Sequence, residues 1–225
     1  MAIEQPEINV IEKYIKDGDI VFDVGANIGL WTEQVLNRHQ NIKVHAFEPI
    51  AEIFKYANDN RVVYNNVCLT VNPVGSKCLW YYPIYPPLST LYRRSPEVER
   101  VNIGGPPPVP KIVLSNSVDS YCMNHNIDKI NFLKIDVEGA ELDVLFGSIG
   151  MISNIDYIQF EYGGCNVDSG VTLEMLYNFC INREFNVFKM NIDELKPILK
   201  FSNELEDYQY INFLAINRKL DEKNI

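Results

Sequence analysis

Short apolar runs alternate along this chain with stretches whose apolar residues return every three or four positions. Residues 20–24, 42–47, 62–69, 132–135, 155–160, 185–190 and 210–216 are short and largely apolar, the pattern of strands covered on both faces. Between them, 29–37 has helical spacing. Residues 49–58 predict a helix with Pro49 in its first turn, where a missing N–H does no harm. Leu142, Leu145 and Phe146 mark a further helix face, and Leu173, Leu176, Tyr177 and Cys180 another. This alternation predicts an α/β fold: a doubly wound, mostly parallel sheet with helices on both sides.

Residues 72–115 break the rhythm with "LWYYPIYPPLSTLYRRS" and "GGPPPVPK". The run Pro106–Pro108 fits neither helix nor central strand. We expect a β-hairpin or flap with a stiff loop, inserted after the third strand. The rest reads as one domain over 1–225, with a polar tail, 218–225, that frays.

Composition narrows the function. A chain of 225 residues can bury roughly 70% of its unfolded surface, so it needs no disulfides or metal to fold. The net charge of -10 disfavours nucleic acid, which wants a basic footprint, but not a cationic ligand. No run of about 18 apolar residues suggests a membrane span, and "MAIEQPEINVIEKY" lacks the parts of a signal peptide. Cys68, Cys78, Cys122, Cys165 and Cys180 form no C-x-x-C pair and predict reduced thiols in a cytoplasmic compartment. His39, His45 and His125 are scattered and read as structural.

The chemistry starts at "VFDVGANIG". A dinucleotide loop needs G-x-G-x-x-G, but Asn27 and Leu30 stand where its second and third glycines belong, which counts against a nicotinamide-dependent oxidoreductase. A tight glycine turn into a helix N-terminus still suits a carboxylate, and Asp23 suits an ammonium. Together these describe an amino-acid head group. Glu48, in "HAFEP", ends the second strand, where doubly wound folds bind a ribose diol. Amino acid plus ribose points to S-adenosylmethionine, whose sulfonium an acidic cleft favours. In "NFLKIDVEGAE", Lys134 and Asp136 share a strand face, and Asp136 falls at the ligand-binding edge. Lys134 inside an apolar strand needs a carboxylate, Asp136 or Glu161. Glu141 reads as an acid that offsets a helix dipole.

"VFDVGANIGLWT", "AFEP", "NNVCL", "SVDSY" and "FLKIDVEGAELDVLFG" together resemble the FkbM-type family of S-adenosylmethionine-dependent methyltransferases, from Val21 to Glu161. The resemblance implies a class I methyltransferase, Rossmann-like fold: seven strands with the last antiparallel. It implies that Asp23, Gly25, Ala26, Asn27, Gly29 and Thr32 line the methionine and ribose end of the cofactor. Glu48 would bind the ribose, Asn66 and Val67 would lie near the adenine, and Asp136 would face the methyl group. It also implies O-methylation, of sugar or polyketide hydroxyls, and association or fusion with glycosyltransferases. A catalytic motif so near the chain start resembles a terminal domain of such a glycan-building protein, of a viral kind.

The expected acceptor is therefore a sugar hydroxyl of a glycan, such as a 6-deoxyhexose; a polyketide-type hydroxyl and a non-catalytic binding subunit are the alternatives. A hydroxyl needs help to react, and Asp136, Glu138 or a neutral Lys134 are candidate bases. Magnesium or manganese on Asp136 and Glu161 is a second route. "IDVEG" lacks the asparagine–proline motif of amine-methylating enzymes. Tyr92, Arg93 and Arg94 are the candidate sugar contacts, while Trp80 is expected to pack the flap onto the sheet.

Overall fold

The apolar runs do form the sheet. A computed structural model describes residues 3–56, 58–95 and 106–221. Its strands are β1 (Ile20–Val24), β2 (Lys43–Phe47), β3 (Val62–Asn65), β4 (Cys68–Leu69), β5 (Gly75–Tyr81), β6 (Val109–Asn116), β7 (Ile130–Ile135), β8 (Ile155–Tyr162), β9 (Phe185–Met190), β10 (Leu195–Pro197) and β11 (Ile211–Asn217). The main sheet runs β10-β9-β11-β8-β7-β1-β2-β3. Strands β3, β2, β1, β7 and β8 are parallel, and β11 is antiparallel to both of its neighbours. This is the class I arrangement, with the last strand slotted between β8 and β9. An eighth strand, β10, was not expected; it folds back on β9 as a three-residue edge, where Pro197 is tolerated.

The helices are α1 (Gln5–Tyr14), α2 (Leu30–Arg38), α3 (Val118–His125), α4 (Glu141–Phe146), α5 (Cys165–Ser169), α6 (Leu173–Ile181) and α7 (Arg218–Asp221). The period of two along the strands divides the core. Val21 and Phe132 pack with Val10, Ile11, Trp31 and Val35 of α1 and α2. Phe22 and Leu133 pack on the other face with Tyr121, Val144, Leu145 and Leu176 of α3, α4 and α6. Asp23 and Lys134, register partners on β1 and β7, share the parity of Val21 and Phe132 and so meet on the α1–α2 face.

Several expectations need correcting. The predicted strand 62–69 is two strands: a turn from Val67 N–H to Asn65 O separates β3 from β4, which leaves the main sheet to pair with β6. Among the described residues of 49–58 none is helical; the Ile50 N–H goes to the Glu48 carboxylate, and Phe54 stacks on Tyr64 with ring centroids 4.7 Å apart. Those contacts replace the helical ladder. Phe146 is turned outward, and Glu141, Val144 and Leu145 are the buried face of α4. Helices α1 and α3 carry only two or three buried apolar residues each, too few for the pattern to stand out.

The flap is a hairpin of β5 and β6, with Trp80 opposite Pro110. At Pro110 the far side of β6 has no strand partner, since β4 reaches only Ser115 and Asn116, so no ladder bond is lost. Pro106–Pro108 precede β6 as expected. Part of the flap loop, 96–105, lies outside the described residues, as does the tail 222–225; Arg218–Asp221 of the expected fraying tail is helical. All five cysteines are free. Among the described residues no helix is long and apolar enough to cross a membrane.

Candidate active site

Strand order reverses between β1 and β7, and the carboxyl ends of β1, β2, β7 and β8 gather the sequence motifs around that point. Gly25 turns the chain out of β1 at φ 78°. A Cβ there would stand 1.7 Å from the Asp136 carbonyl oxygen, so only glycine lets the ends of β1 and β7 approach. The Gly25 and Ala26 N–H groups both donate to Phe47 O at 3.0 Å, tying the turn to β2. Asn27 is left-handed at φ 50°, a conformation asparagine tolerates better than most residues. That explains an asparagine where a dinucleotide loop has glycine.

Asn27 N–H donates to Glu48 Oε2 at 2.9 Å, and Ile50 N–H donates to Oε1 at 2.8 Å. Both oxygens keep free lone pairs, enough for a diol. Burial pushes the Glu48 carboxyl up to about 7, against the pull of those two N–H groups. An unfolded glutamate releases its proton near 4.5, so between these values the folded state binds more protons. Stability is therefore highest below that window and falls as pH rises through 7. Glu48→Gln should remove this part of the slope, on the order of 3 kcal/mol, in urea unfolding compared at about pH 5 and about pH 8. An unchanged slope would clear Glu48 of the effect.

Lys134 is buried between Asp136 at 3.2 Å and Asp23 at 3.3 Å. Burial works against its charge, but Asp136 and Asp23 outweigh it and raise its pKa above the usual lysine value. Two carboxylates at these distances favour the charged lysine and speak against a neutral Lys134 base. Asp136 is the partner expected; Asp23 is the one missed, and Glu161 is not within ion-pair distance among the described contacts. Asp23 is 0% exposed, and Thr32 Oγ1 donates to it at 2.7 Å. Asp23 holds the buried lysine and Thr32 holds Asp23; neither lines the cleft.

A cleft of about 380 Å³ opens above this layer. Gly25, Asn27, Glu48, Asp136, Glu138 and Glu161 line it, as do Glu4 and Tyr210. Leu79, Pro86, Pro87, Leu88, Ser89 and Leu91 of the flap also line it. Of the expected cofactor residues, Ala26, Gly29, Asn66 and Val67 lie outside that lining. Gly29 caps α2 at φ 86° against Tyr56, Asn66 Nδ2 donates to Glu48 O at 3.1 Å, and Val67 packs on the core.

Asp136, Glu138 and Glu161 bring one oxygen each within 4.8 Å of one another. Burial, then the neighbouring Asp136, raises both glutamates, Glu138 to about 7 and Glu161 well above the usual carboxylate range. Asp136 has 38% of its side chain exposed, against 14% for Glu138.

The flap residues proposed as sugar contacts point elsewhere. Tyr92 OH donates to Asp143 at 2.8 Å, Arg93 lies over the Trp80 ring at 4.8 Å, and Arg94 is buried against Glu138. Tyrosine and arginine beside one another signalled polar chemistry; here they satisfy protein carboxylates and an indole. Glu141 is more than a dipole partner: its carboxylate accepts from Val137 N–H, Gly139 N–H and Asn166 Nδ2, fixing the turn after β7. Glu4, Tyr210 and the flap wall carried no motif, and only their place in the fold brings them to the cleft.

Comparison with known proteins agrees with this geometry. The family described as Methyltransferase FkbM domain matches residues 23–206. "Methyltransferase 1" of Beauveria bassiana is 29% identical over 146 residues, covering 58% of this chain and 59% of that protein. The "31-O-demethyl-FK506 methyltransferase FkbM" of Streptomyces tacrolimicus is 34% identical over 74 residues, 31% of this chain and 28% of its own length. The chain thus spans about 59% or less of these relatives. A crystal structure described as an rRNA-methylase from Clostridium thermocellum superposes with a TM-score of 0.51 at 12% identity, covering 96% of this chain and 99% of that one; it shares the fold. With a family match running from the Asp23 turn past the end of β10, this chain belongs to the FkbM methyltransferase family.

Proposed function

We propose that this chain is an S-adenosylmethionine-dependent O-methyltransferase acting on a sugar hydroxyl of a glycan. The observation that carries the proposal is the convergence of the Gly25 turn, Glu48 and Asp136 on one cleft at the switch point. The residues present fit the cofactor. Asn27 Oδ1 is buried with no donor, although Asn27 lines the cleft, and Glu48 has acceptor capacity to spare. When bound, S-adenosylmethionine supplies a methyl group activated by a sulfonium. Glu48 and Asn27 would accept from its ribose and ammonium groups, and the carboxylate-lined cleft favours its positive charge.

Asp136 is placed to accept the proton that an acceptor hydroxyl loses as its oxygen becomes nucleophilic. Glu138, Glu161 and Tyr210 offer further partners for a polyol. The three carboxylates would also suit Mg²⁺ or Mn²⁺, which lowers a hydroxyl's pKa as a Lewis acid. Turnover abolished by a chelator and restored by either ion would assign that route; chelator-insensitive turnover would leave Asp136 as the base.

A polyketide-type hydroxyl is the second reading, favoured by the apolar wall of Leu79, Pro86, Pro87, Leu88 and Leu91. Labelled S-adenosylmethionine offered with oligosaccharides, macrolide-type alcohols, peptides and RNA separates the two. Saccharide labelling supports the first reading and alcohol labelling the second. Cofactor binding with no acceptor labelled would favour a non-catalytic subunit. Glu48→Ala should weaken cofactor binding by roughly 1.5–3 kcal/mol, the worth of a charged hydrogen bond, in calorimetry; unchanged affinity would remove Glu48 from the cofactor site. Association with a glycosyltransferase and a reducing, cytoplasmic setting belong to the same proposal.

A further inference from the structure

A strap of the flap, residues 88–95, is fastened to the turn that carries Glu138. Thr90 exchanges backbone hydrogen bonds with Trp80, and its Oγ1 donates to Glu138 O at 2.7 Å. Arg94 Nη2 donates to Glu138 Oε2 at 2.5 Å and to Leu88 O at 3.4 Å. The two paired side chains are 3% and 14% exposed. Ser95 N–H ends the strap on Asp168 Oδ1 at 3.0 Å.

Two features of Glu138 call for such a hold. Its backbone is left-handed at φ 55°, a strained conformation for a residue with a Cβ. Its carboxylate also faces Asp136, Glu141 and Glu161, with Tyr210 and the Cys165 thiol nearby. Among the described residues Arg94 is the cation in ion-pair contact with it. Released, the carboxylate would be free to swing away from Asp136.

We propose that Arg94 is a positioning residue: its buried ion pair fixes Glu138 in the cleft, so that the flap strap and the reacting end of the site are assembled as one unit. It rests on the cleft being a methyl-transfer site. Arg94 then serves the acceptor through Glu138, without touching it.

The test is a double-mutant cycle on the whole chain. Arg94→Met and Glu138→Gln should each lower kcat, by up to roughly 100-fold for a displaced group, with calorimetric cofactor affinity unchanged. The double variant should be no slower than Glu138→Gln alone, and Arg94→Lys should recover part of the rate. Losses that multiply, or a raised acceptor KM at normal kcat, would overturn the proposal. Should Arg94→Met fail to fold, Arg94→Lys with Glu138→Gln completes the same cycle. A crystal structure of the Arg94 variant reads the positioning without turnover. A displaced Glu138 carboxylate is expected and an unmoved one refutes it, whether or not an acceptor is methylated.

Discussion

Asp136→Asn should slow methyl transfer by at least about 100-fold while leaving the cofactor's dissociation constant within about tenfold. The substitution keeps the shape of the side chain and an oxygen able to meet Lys134, which sits 3.2 Å from the carboxylate. It also leaves Lys134 its second partner, Asp23, at 3.3 Å. The buried layer beneath the cleft therefore stays paired and the fold should hold. What is lost is the ability to take a proton or to ligate a hard cation with a full charge. Both candidate routes to an activated hydroxyl run through this carboxylate, so both predict a large fall in turnover. Single-turnover rates measured beside calorimetric titration separate the chemical step from binding. A variant that turns over normally would dismiss Asp136 from the reaction. One that loses cofactor affinity by far more than tenfold would make it a binding residue instead.

The sequence conveyed which side chains stand at the carboxyl edge, but not which way each one faces. Strands β1, β7, β8, β9 and β11 were legible because apolar residues form the majority of each, with scattered polar ones such as Asp23, Lys134 and Gln159. Gly25, Glu48 and Asp136 directly follow the last residues of β1, β2 and β7, Asn27 comes two residues after Gly25, and all four line the cleft. Asp23 lies inside β1, two residues before Gly25, with the parity of Val21, which sets it on the α1–α2 face, where a lysine more than a hundred positions away meets it. No local pattern reports so distant a partner. The flap shows the same limit. Its tyrosines and arginines advertise hydrogen bonding, yet Tyr92 and Arg94 spend it on Asp143 and Glu138. The predicted helix at 49–58 failed because propensity is a weak prior, and the Glu48 carboxylate claims the first free N–H.

Lys134→Met should destabilise the chain by about 3–5 kcal/mol, the usual result of removing one partner from a buried ion pair. The side chain lies between two carboxylates, and Asp23 is wholly enclosed, with Thr32 its other partner among the described residues. Methionine fills much the same volume, so the loss is electrostatic and not a cavity. One measurement makes the cause visible. In Lys134→Met/Asp23→Asn the uncompensated charge is gone, and urea unfolding should show much of the stability restored. A Lys134→Met protein of normal stability with reduced turnover would contradict the buried triad, and would return this lysine to the list of groups that act on substrate.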